Sequence, residues 1–192
     1  MKKIIFIAVF LMGICFVHAW SGDFSVVIGG GIKNAGGIKT ADGKNLFEEV
    51  YGKNNLSYSL DVGYKAAKYI QLFLHGEYFS TKGELTYTKE ETTLTIIPVE
   101  LGCRFMYGFA KDMFCPYIGL GGGFYLIKEE NVIAPFDEKK FGFFGETGFA
   151  FYFVKYCFLD LKARYVFLKI DGAEGEVDLG GLALMGGIGF SF

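Results

Sequence analysis

The sequence predicts an all-β fold, an eight-stranded antiparallel up-and-down transmembrane β-barrel. Three observations support this prediction. Apolar residues alternate with polar or small ones along eight separate segments, the connections between the segments alternate between long and short, and the charges within the segments lie opposite the apolar face. Period-two alternation is typical of strands. Short turns at one end and longer loops at the other are typical of membrane barrels.

The beginning of the chain predicts an export signal at residues 1–19, which leaves residues 20–192 as the outer-membrane β-barrel domain. Two lysines precede an apolar run at 4–17, and short residues follow where a signal peptidase cleaves. Cleavage after Ala19 is favoured over lipoprotein processing at Cys15, because the residue before that cysteine is a bulky isoleucine. The apolar run is too short to span a membrane comfortably as a helix.

The composition is unusually apolar, with 52% hydrophobic and 18% aromatic residues, 28 glycines and only 3 prolines. After the signal, no uncharged apolar stretch reaches the roughly 18 residues that a membrane-spanning helix needs. Without the two signal lysines, the chain has 17 basic and 21 acidic residues, a net charge of −4. This charge indicates no nucleic-acid partner. Export, an apolar composition and the lack of a predicted membrane helix together favour a fold made of strands.

Each predicted strand has one apolar face, because successive side chains on a strand point to opposite sides. The predicted strands are 23–33, 56–65, 69–80, 94–106, 114–127, 140–153, 158–168 and 182–192. In the first four strands the apolar face carries Phe24, Val26, Ile28, Ile32; Leu56, Tyr58, Leu60, Val62, Tyr64; Ile70, Leu72, Leu74, Tyr78; and Ile97, Val99, Leu101, Cys103, Phe105. In the last four it carries Ile118, Leu120, Phe124, Leu126; Phe141, Phe143, Phe149, Phe151, Phe153; Leu159, Leu161, Ala163, Tyr165, Phe167; and Leu182, Leu184, Ile188, Phe190, Phe192.

The connections give the barrel its orientation. The even strand number places both chain ends on the side of the short turns, which is the periplasmic side in this architecture. The long connections are 34–55, 81–93, 128–139 and 169–178, and the short ones are 66–68, 107–113 and 154–157. Hydrocarbon offers the backbone no hydrogen-bond partners, so the sheet must close.

A network of charged side chains is predicted inside the barrel, because a lipid-facing Arg or Lys at the midplane costs roughly 2 to 4 kcal/mol. Glu77 is the expected partner of Arg104 on the neighbouring strand. Glu100 and Arg104 lie about 13 Å apart along one strand and are not expected to pair with each other. The predicted interior residues are Asp61, Glu77, Glu100, Arg104, Glu146, Asp160, Lys162 and Arg164. Such a set is either a paired network that fills a narrow barrel or a gated path for small ions.

Three segments carry a resemblance to a known family: 97–102, 116–125 and 187–192. With the strand pattern around them, they resemble the small eight-stranded bacterial outer-membrane barrels of the OmpA/OmpX type. The resemblance implies location in the outer membrane, contact with its lipid and lipopolysaccharide, and a monomeric state. It also implies recognition by the barrel-assembly machinery through the terminal residues Ile188, Phe190 and Phe192.

No catalytic, metal-binding or cofactor-binding residues are predicted. The glycine turn at 26–32 lacks the third glycine of a dinucleotide-binding motif, since Asn34 stands there and no helix follows. A hydrolase would need a serine beside His75, but Ser80, the nearest candidate, has the opposite strand parity. No role is assigned to the three cysteines of the barrel domain, Cys103, Cys115 and Cys157.

The sequence therefore indicates a non-enzymatic outer-membrane barrel with a structural or surface-interaction role through its external loops. Passive transport of small or apolar solutes is the alternative, and a lipid-modifying hydrolase is a weaker one. A soluble periplasmic barrel that holds a ligand is disfavoured, because the outward phenylalanines at 141–153 would aggregate in water.

Overall fold

The predicted barrel is confirmed by a computed structural model of the chain, which describes residues 24–35, 50–52, 55–84, 90–130, 136–172 and 175–192. Ten strands are present in these described ranges. They are β1 (Phe24–Ala35), β2 (Asn55–Ala67), β3 (Ile70–Glu84), β4 (Glu91–Met106), β5 (Phe114–Glu130), β6 (Phe136–Val154), β7 (Cys157–Phe167), β8 (Lys169–Gly172), β9 (Gly175–Asp178) and β10 (Gly181–Ser191). The predicted signal at 1–19 lies outside the described residues.

Eight of these strands close into one antiparallel barrel in the order β1-β10-β7-β6-β5-β4-β3-β2. The first and last strands of the barrel pair from Ser25↔Ser191 to Ala35↔Gly181. Closure leaves no free sheet edge in the spanning region, which is the condition for strands to cross hydrocarbon.

The outer surface of the barrel is an apolar belt, as the alternation predicts. Leu120 is 71% exposed, Ile118 63% and Phe143 62%, although all three lie in the middle of strands. Tyr69, Phe105 and Tyr107 form an aromatic group near the short turns, with ring centroids 5.7 to 5.9 Å apart. Such a belt with interfacial aromatics is the surface that a bilayer solvates. In the described ranges, no helix has the length and apolar character needed to traverse a membrane.

Two features of the connections differ from the prediction. The segment 169–178, expected to be a loop, contains a separate two-stranded sheet in which Lys169 opposes Asp178. The strands on either side of 81–93 and 128–139 also extend into those connections. The register continues to Glu84↔Glu91 and Glu129↔Phe136. These extensions consist mainly of polar residues, because the backbone pairing between the strands continues beyond the apolar belt.

Inward glycines make room for bulky interior side chains. A Cβ atom on Gly148 would lie 2.8 Å from the ring of Tyr117, and one on Gly142 would lie 2.8 Å from the ring of Tyr125. The glycines of β5 bring the neighbouring backbone close as well, since a Cβ on Gly123 would lie 2.5 Å from the Cα of Glu100. The narrow barrel accommodates its aromatic interior through these positions.

We expect Gly123→Ala to destabilise the barrel by about 1 to 3 kcal/mol, because the added methyl group meets the backbone of β4 at Val99 and Glu100, which cannot move aside as a side chain can. Gly145→Ala is the matched control, since a Cβ there has nothing within 4 Å, and its effect should stay within about 0.5 kcal/mol. Urea unfolding in lipid vesicles measures both. Equal effects of the two substitutions would contradict this account of the glycines.

Candidate functional site

All eight side chains of the predicted network lie inside the barrel. None is more than 6% exposed, and Lys33 and His75 are buried with them at 1% and 0%. The buried charged residues thus comprise five carboxylates and four basic side chains, arranged around one histidine. Eight strands leave an interior just wide enough for side chains. Most of these charges are therefore in mutual contact, whereas Lys33 Nζ has no hydrogen-bond partner among the described side chains.

Arg104 connects three other strands of the barrel. Its Nε donates a hydrogen bond to Glu146 on β6 at 2.5 Å, and its Nη2 donates to Asp61 on β2 at 3.1 Å. Its Nη1 donates to Gln71 on β3 at 3.4 Å. The guanidinium lies over the ring of Phe73, 3.9 Å from its centroid. This planar five-donor group is well suited to such a position, because its donors point to several acceptors at once.

Asp61 receives contacts from both sides of the lumen. Lys162 on β7 donates to the same carboxylate oxygen as Arg104, and His75 contacts the other oxygen through Nδ1. Because β1 and β10 separate β2 from β7 in the sheet, the contact between Asp61 and Lys162 crosses the interior. Nearer the short turns, the Tyr117 hydroxyl donates a hydrogen bond to Asp160 at 2.8 Å.

A second ionic group lies nearer the long loops. Arg164 Nη2 donates to Glu100 Oε2 at 2.5 Å, and the guanidinium stacks 3.7 Å from the ring centroid of Phe144. The hydroxyl of Tyr125 donates to the other oxygen of Glu100. Glu146 joins the two groups, since its Oε2 lies 3.9 Å from Arg164 while its Oε1 accepts from Arg104.

The predicted pairing of Glu77 with Arg104 is wrong. Gln71 is the residue of β3 that opposes Arg104, and Glu77 lies six residues further along, a distance of about 20 Å. Glu77 lies instead near His75, with 3.7 Å between its Oε2 and Nε2 of the histidine. The other predicted relation is present, because Glu146 lies opposite Arg164 in the register of β6 and β7.

His75 does not form a hydrolytic site with a serine. Its Nδ1 contacts Asp61, but its Nε2 faces the carboxylates of Glu77 at 3.7 Å and Glu100 at 3.8 Å. Ser80 lies elsewhere, with its hydroxyl 3.3 Å from Thr95. Nε2 of His75 has no hydrogen-bond partner among the described side chains. The imidazole is also completely buried, so a lipid substrate has no access to it.

The external half of the lumen contains a cluster of apolar side chains, beside which Lys33, Ser57 and Thr81 are also buried. Phe79, Ile96 and Ile127 are at most 1% exposed and pack as one cluster with Leu168 and Leu179. Tyr51, just before β2, packs against this cluster. The rest of the cluster is Phe73, Leu94, Tyr125, Phe144 and Val166. Two layers therefore close the interior, one ionic and one apolar.

Several interior residues were not included in the predicted network. Strand parity identifies Lys33, because it follows Ser25, Val27, Gly29 and Gly31 on the inward face. The sequence does not predict the hydrogen bonds made by the hydroxyls of Tyr117 and Tyr125 and by the amide of Gln71. Their inward parity is visible in the sequence, but their carboxylate and guanidinium partners depend on three-dimensional register.

Groups suited to bind metal or to form disulfides were also sought. In the part of the chain that the structure describes, no three His, Cys, Asp or Glu side chains are placed to hold a metal ion. Cys103, Cys115 and Cys157 are free thiols. Beside the apolar cluster, burial raises the pKa of the Tyr51 hydroxyl, which lies 3.4 Å from the Thr92 hydroxyl.

Solved structures with the same fold come from several bacterial outer membranes. OprG of Pseudomonas aeruginosa matches with a TM-score of 0.66 at 16% identity, covering 90% of this chain and 96% of that one. Neisserial surface protein A matches with a TM-score of 0.61 at 14% identity, covering 90% and 98%. Outer membrane protein W of E. coli matches with 0.57 at 20% identity, covering 91% and 100%.

Sequence comparison adds no closer relative. No family model matches the chain, and no curated protein matches it. The structural likeness shows that this chain has the fold of the small eight-stranded outer-membrane barrels.

We expect Arg104→Met to destabilise the barrel by about 3 to 5 kcal/mol, because it leaves the carboxylates of Asp61 and Glu146 buried without their common partner. Lys128→Met is the matched control. It removes the same charge from a pair whose side chains are 58% and 63% exposed, and should leave the free energy of unfolding close to that of the wild type. Urea unfolding in vesicles compares the two variants. A loss for Arg104→Met no larger than that of the control would show that the network is not needed for stability.

Proposed function

We propose that this chain is a bacterial outer-membrane protein with a structural or surface-interaction role, exerted through its external end. The observation that carries the proposal is the closed interior. An ionic layer around Arg104 and an apolar layer around Phe79 both fill the lumen, and the side chains that form them are almost fully buried. A barrel filled in this way does not provide a hydrated channel, which leaves its exposed end as the part able to act on other molecules.

The outer membrane is the location that the belt and the fold support together. The apolar outer face would drive aggregation in water, and the solved structures that share the fold are outer-membrane and surface proteins. Ile188 and Phe190 lie on that face, 54% and 41% exposed. Their outward position is consistent with a proposed role, together with Phe192, as the signal for the barrel-assembly machinery.

The external end extends beyond the apolar belt and carries a net negative charge. Beyond Leu126, the last outward apolar residue of β5, the ribbon of β5 and β6 continues for four residues to Glu130, or about 13 Å. The described external ends of β3 to β6 contain seven acidic and four basic residues. A cationic partner or surface is therefore favoured over an anionic one.

Passive transport of apolar solutes is the second candidate. It is supported by the apolar cluster in the external half of the lumen, because membrane barrels usually have polar interiors. In this function the cluster around Phe79 would rearrange to admit a solute. Ions would remain excluded by the layer below it.

A lipid-modifying hydrolase is the weakest candidate. The buried imidazole of His75 faces carboxylates where a nucleophilic serine would be required.

We expect the purified barrel in planar bilayers to show no discrete conductance of an open hydrated pore, because the lumen is closed at two levels. Liposomes containing the barrel should likewise release an apolar solute no faster than protein-free liposomes. Steady ion conductance would overturn the proposal.

The same assay separates the transport alternative from the surface role. If apolar solutes cross through the lumen, Phe79→Ala should change their rate, whereas Phe124→Ala on the lipid face should not. Release of apolar solutes that depends on Phe79 would replace the surface role by transport.

A further inference from the structure

The end of the barrel that carries the short turns contains an open cavity of about 810 Å³. Its lining includes Ser25, Gln71 and Cys115, which lie at the inner end, and side chains from all three short turns. Sites for small molecules usually have volumes of about 300 to 1,000 Å³. We call this cavity the periplasmic vestibule.

The vestibule ends at the ionic layer. Gln71 donates to the Ser25 hydroxyl at 2.9 Å and accepts from Arg104 at 3.4 Å, so hydrogen bonds close its floor. A molecule that enters from this side reaches the network and stops there. The vestibule therefore has the form of a binding site and not of the entrance to a pore.

Positive charge predominates along its wall. Lys65 and Lys68 come from the β2–β3 turn, Lys111 from the β4–β5 turn and Lys155 from the β6–β7 turn. Asp112 is the one acidic residue in the lining that the structure describes, which leaves a net charge of +3. Like charges drawn from three separate turns repel one another in the empty cavity, and an anion between them relieves that repulsion.

Two of these lysines have an alternative explanation at the membrane surface. Lys68 lies 4.9 Å from the ring centroid of Tyr69, and Lys155 lies 4.9 Å from that of Tyr156, as expected of interfacial anchors. Lys65 and Lys111 have no such aromatic contact and no ion pair within the described ranges.

The turn that carries Lys111 has an unusual backbone. Ala110, Lys111 and Asp112 all have φ between 51° and 63°, in the left-handed region that residues other than glycine rarely occupy. Phe109 pairs with Phe114 across the base of the turn and holds this conformation. The lysine is thereby fixed at the rim of the vestibule at a cost in backbone strain.

Aromatic and apolar side chains line part of the wall between the lysines, beside polar residues such as Ser25, Gln71 and Ser191. Phe24, Met106, Tyr107 and Tyr152 contribute to the lining. Apolar walls lower the local dielectric and so strengthen attraction between an ammonium group and an anion. Lysine binds phosphate as a compact point charge, and several lysines around one space suit an anion with more than one charge.

From this geometry we propose that the periplasmic vestibule binds a polyvalent phosphate, with Lys65 and Lys111 as its principal contacts. The phosphate is carried either by a soluble molecule or by a lipid headgroup at the inner surface of the membrane. This binding is separate from the role of the external end, because the closed interior lies between the two.

The test uses the full barrel in nanodiscs of phosphatidylcholine, titrated calorimetrically with tripolyphosphate in buffer free of divalent cations. Wild-type protein should bind, and the Lys65→Met/Lys111→Met variant should bind at least about tenfold more weakly, since each contact of this kind contributes roughly one order of magnitude. The matched control is Lys82→Met/Lys128→Met, which removes the same charge from the exposed external end. The control variant should bind like wild type.

Three results would overturn the proposal: no binding by wild type, equal weakening of both variants, or no weakening of the vestibule variant. The lysines are exposed, so both variants should fold, and the shift in gel mobility between unheated and heated samples verifies this. A second series in nanodiscs that contain phosphatidic acid, whose phosphomonoester headgroup can carry two negative charges, identifies the source of the phosphate. Weaker tripolyphosphate binding there, by wild type but not by the vestibule variant, assigns the site to lipid headgroups, and unchanged binding assigns it to a soluble phosphate.

Discussion

The pairing of the first and last barrel strands is the constraint on which the rest of the structure depends. Hydrocarbon offers no hydrogen-bond partner to a backbone N–H or C=O group, so a sheet crosses a membrane only when its two edges meet. Here β1 meets β10 along eleven consecutive pairs of residues, from Ser25↔Ser191 to Ala35↔Gly181. Closure then fixes the circumference. A circumference of eight strands leaves a lumen that side chains fill, and every inward charge must find its partner within that space.

The ionic layer is a consequence of this confinement. A buried salt bridge contributes little net stability, because desolvation of both ions offsets their attraction, but the loss of one partner is costly. Asp61 contacts Arg104, Lys162 and His75. The loss of one partner therefore affects strands that lie far apart in the sheet. The layer therefore favours one arrangement of the barrel over alternatives with a shifted register, since a slip of one residue would turn these charges toward lipid.

Strand parity predicted the interior residues well, and it failed where three-dimensional register decides. Asp61 and Lys162 were both assigned to the interior, yet their contact joins residues 101 apart across the lumen and follows from no local pattern. The pairing of Glu77 with Arg104 was wrong because neighbouring strands are staggered, which makes Gln71 the residue opposite Arg104. The β8–β9 hairpin was missed because its strands have four residues each, too few for alternation to be recognised. The left-handed turn at Ala110 to Asp112 had no signal, since none of its residues is a glycine.

Because the lumen is closed, the two ends of this barrel are chemically independent surfaces of one rigid wall. The described part of the external end is acidic, with strands that project beyond the belt, whereas the periplasmic end has a basic cavity. Charges at the two ends are separated by about the thickness of a membrane, roughly 30 Å, so their direct interaction is weak. Any coupling between the ends would have to pass through the ionic layer, where Gln71 connects the vestibule to Arg104. That single hydrogen bond is the structural link between a ligand at the floor of the vestibule and the network above it.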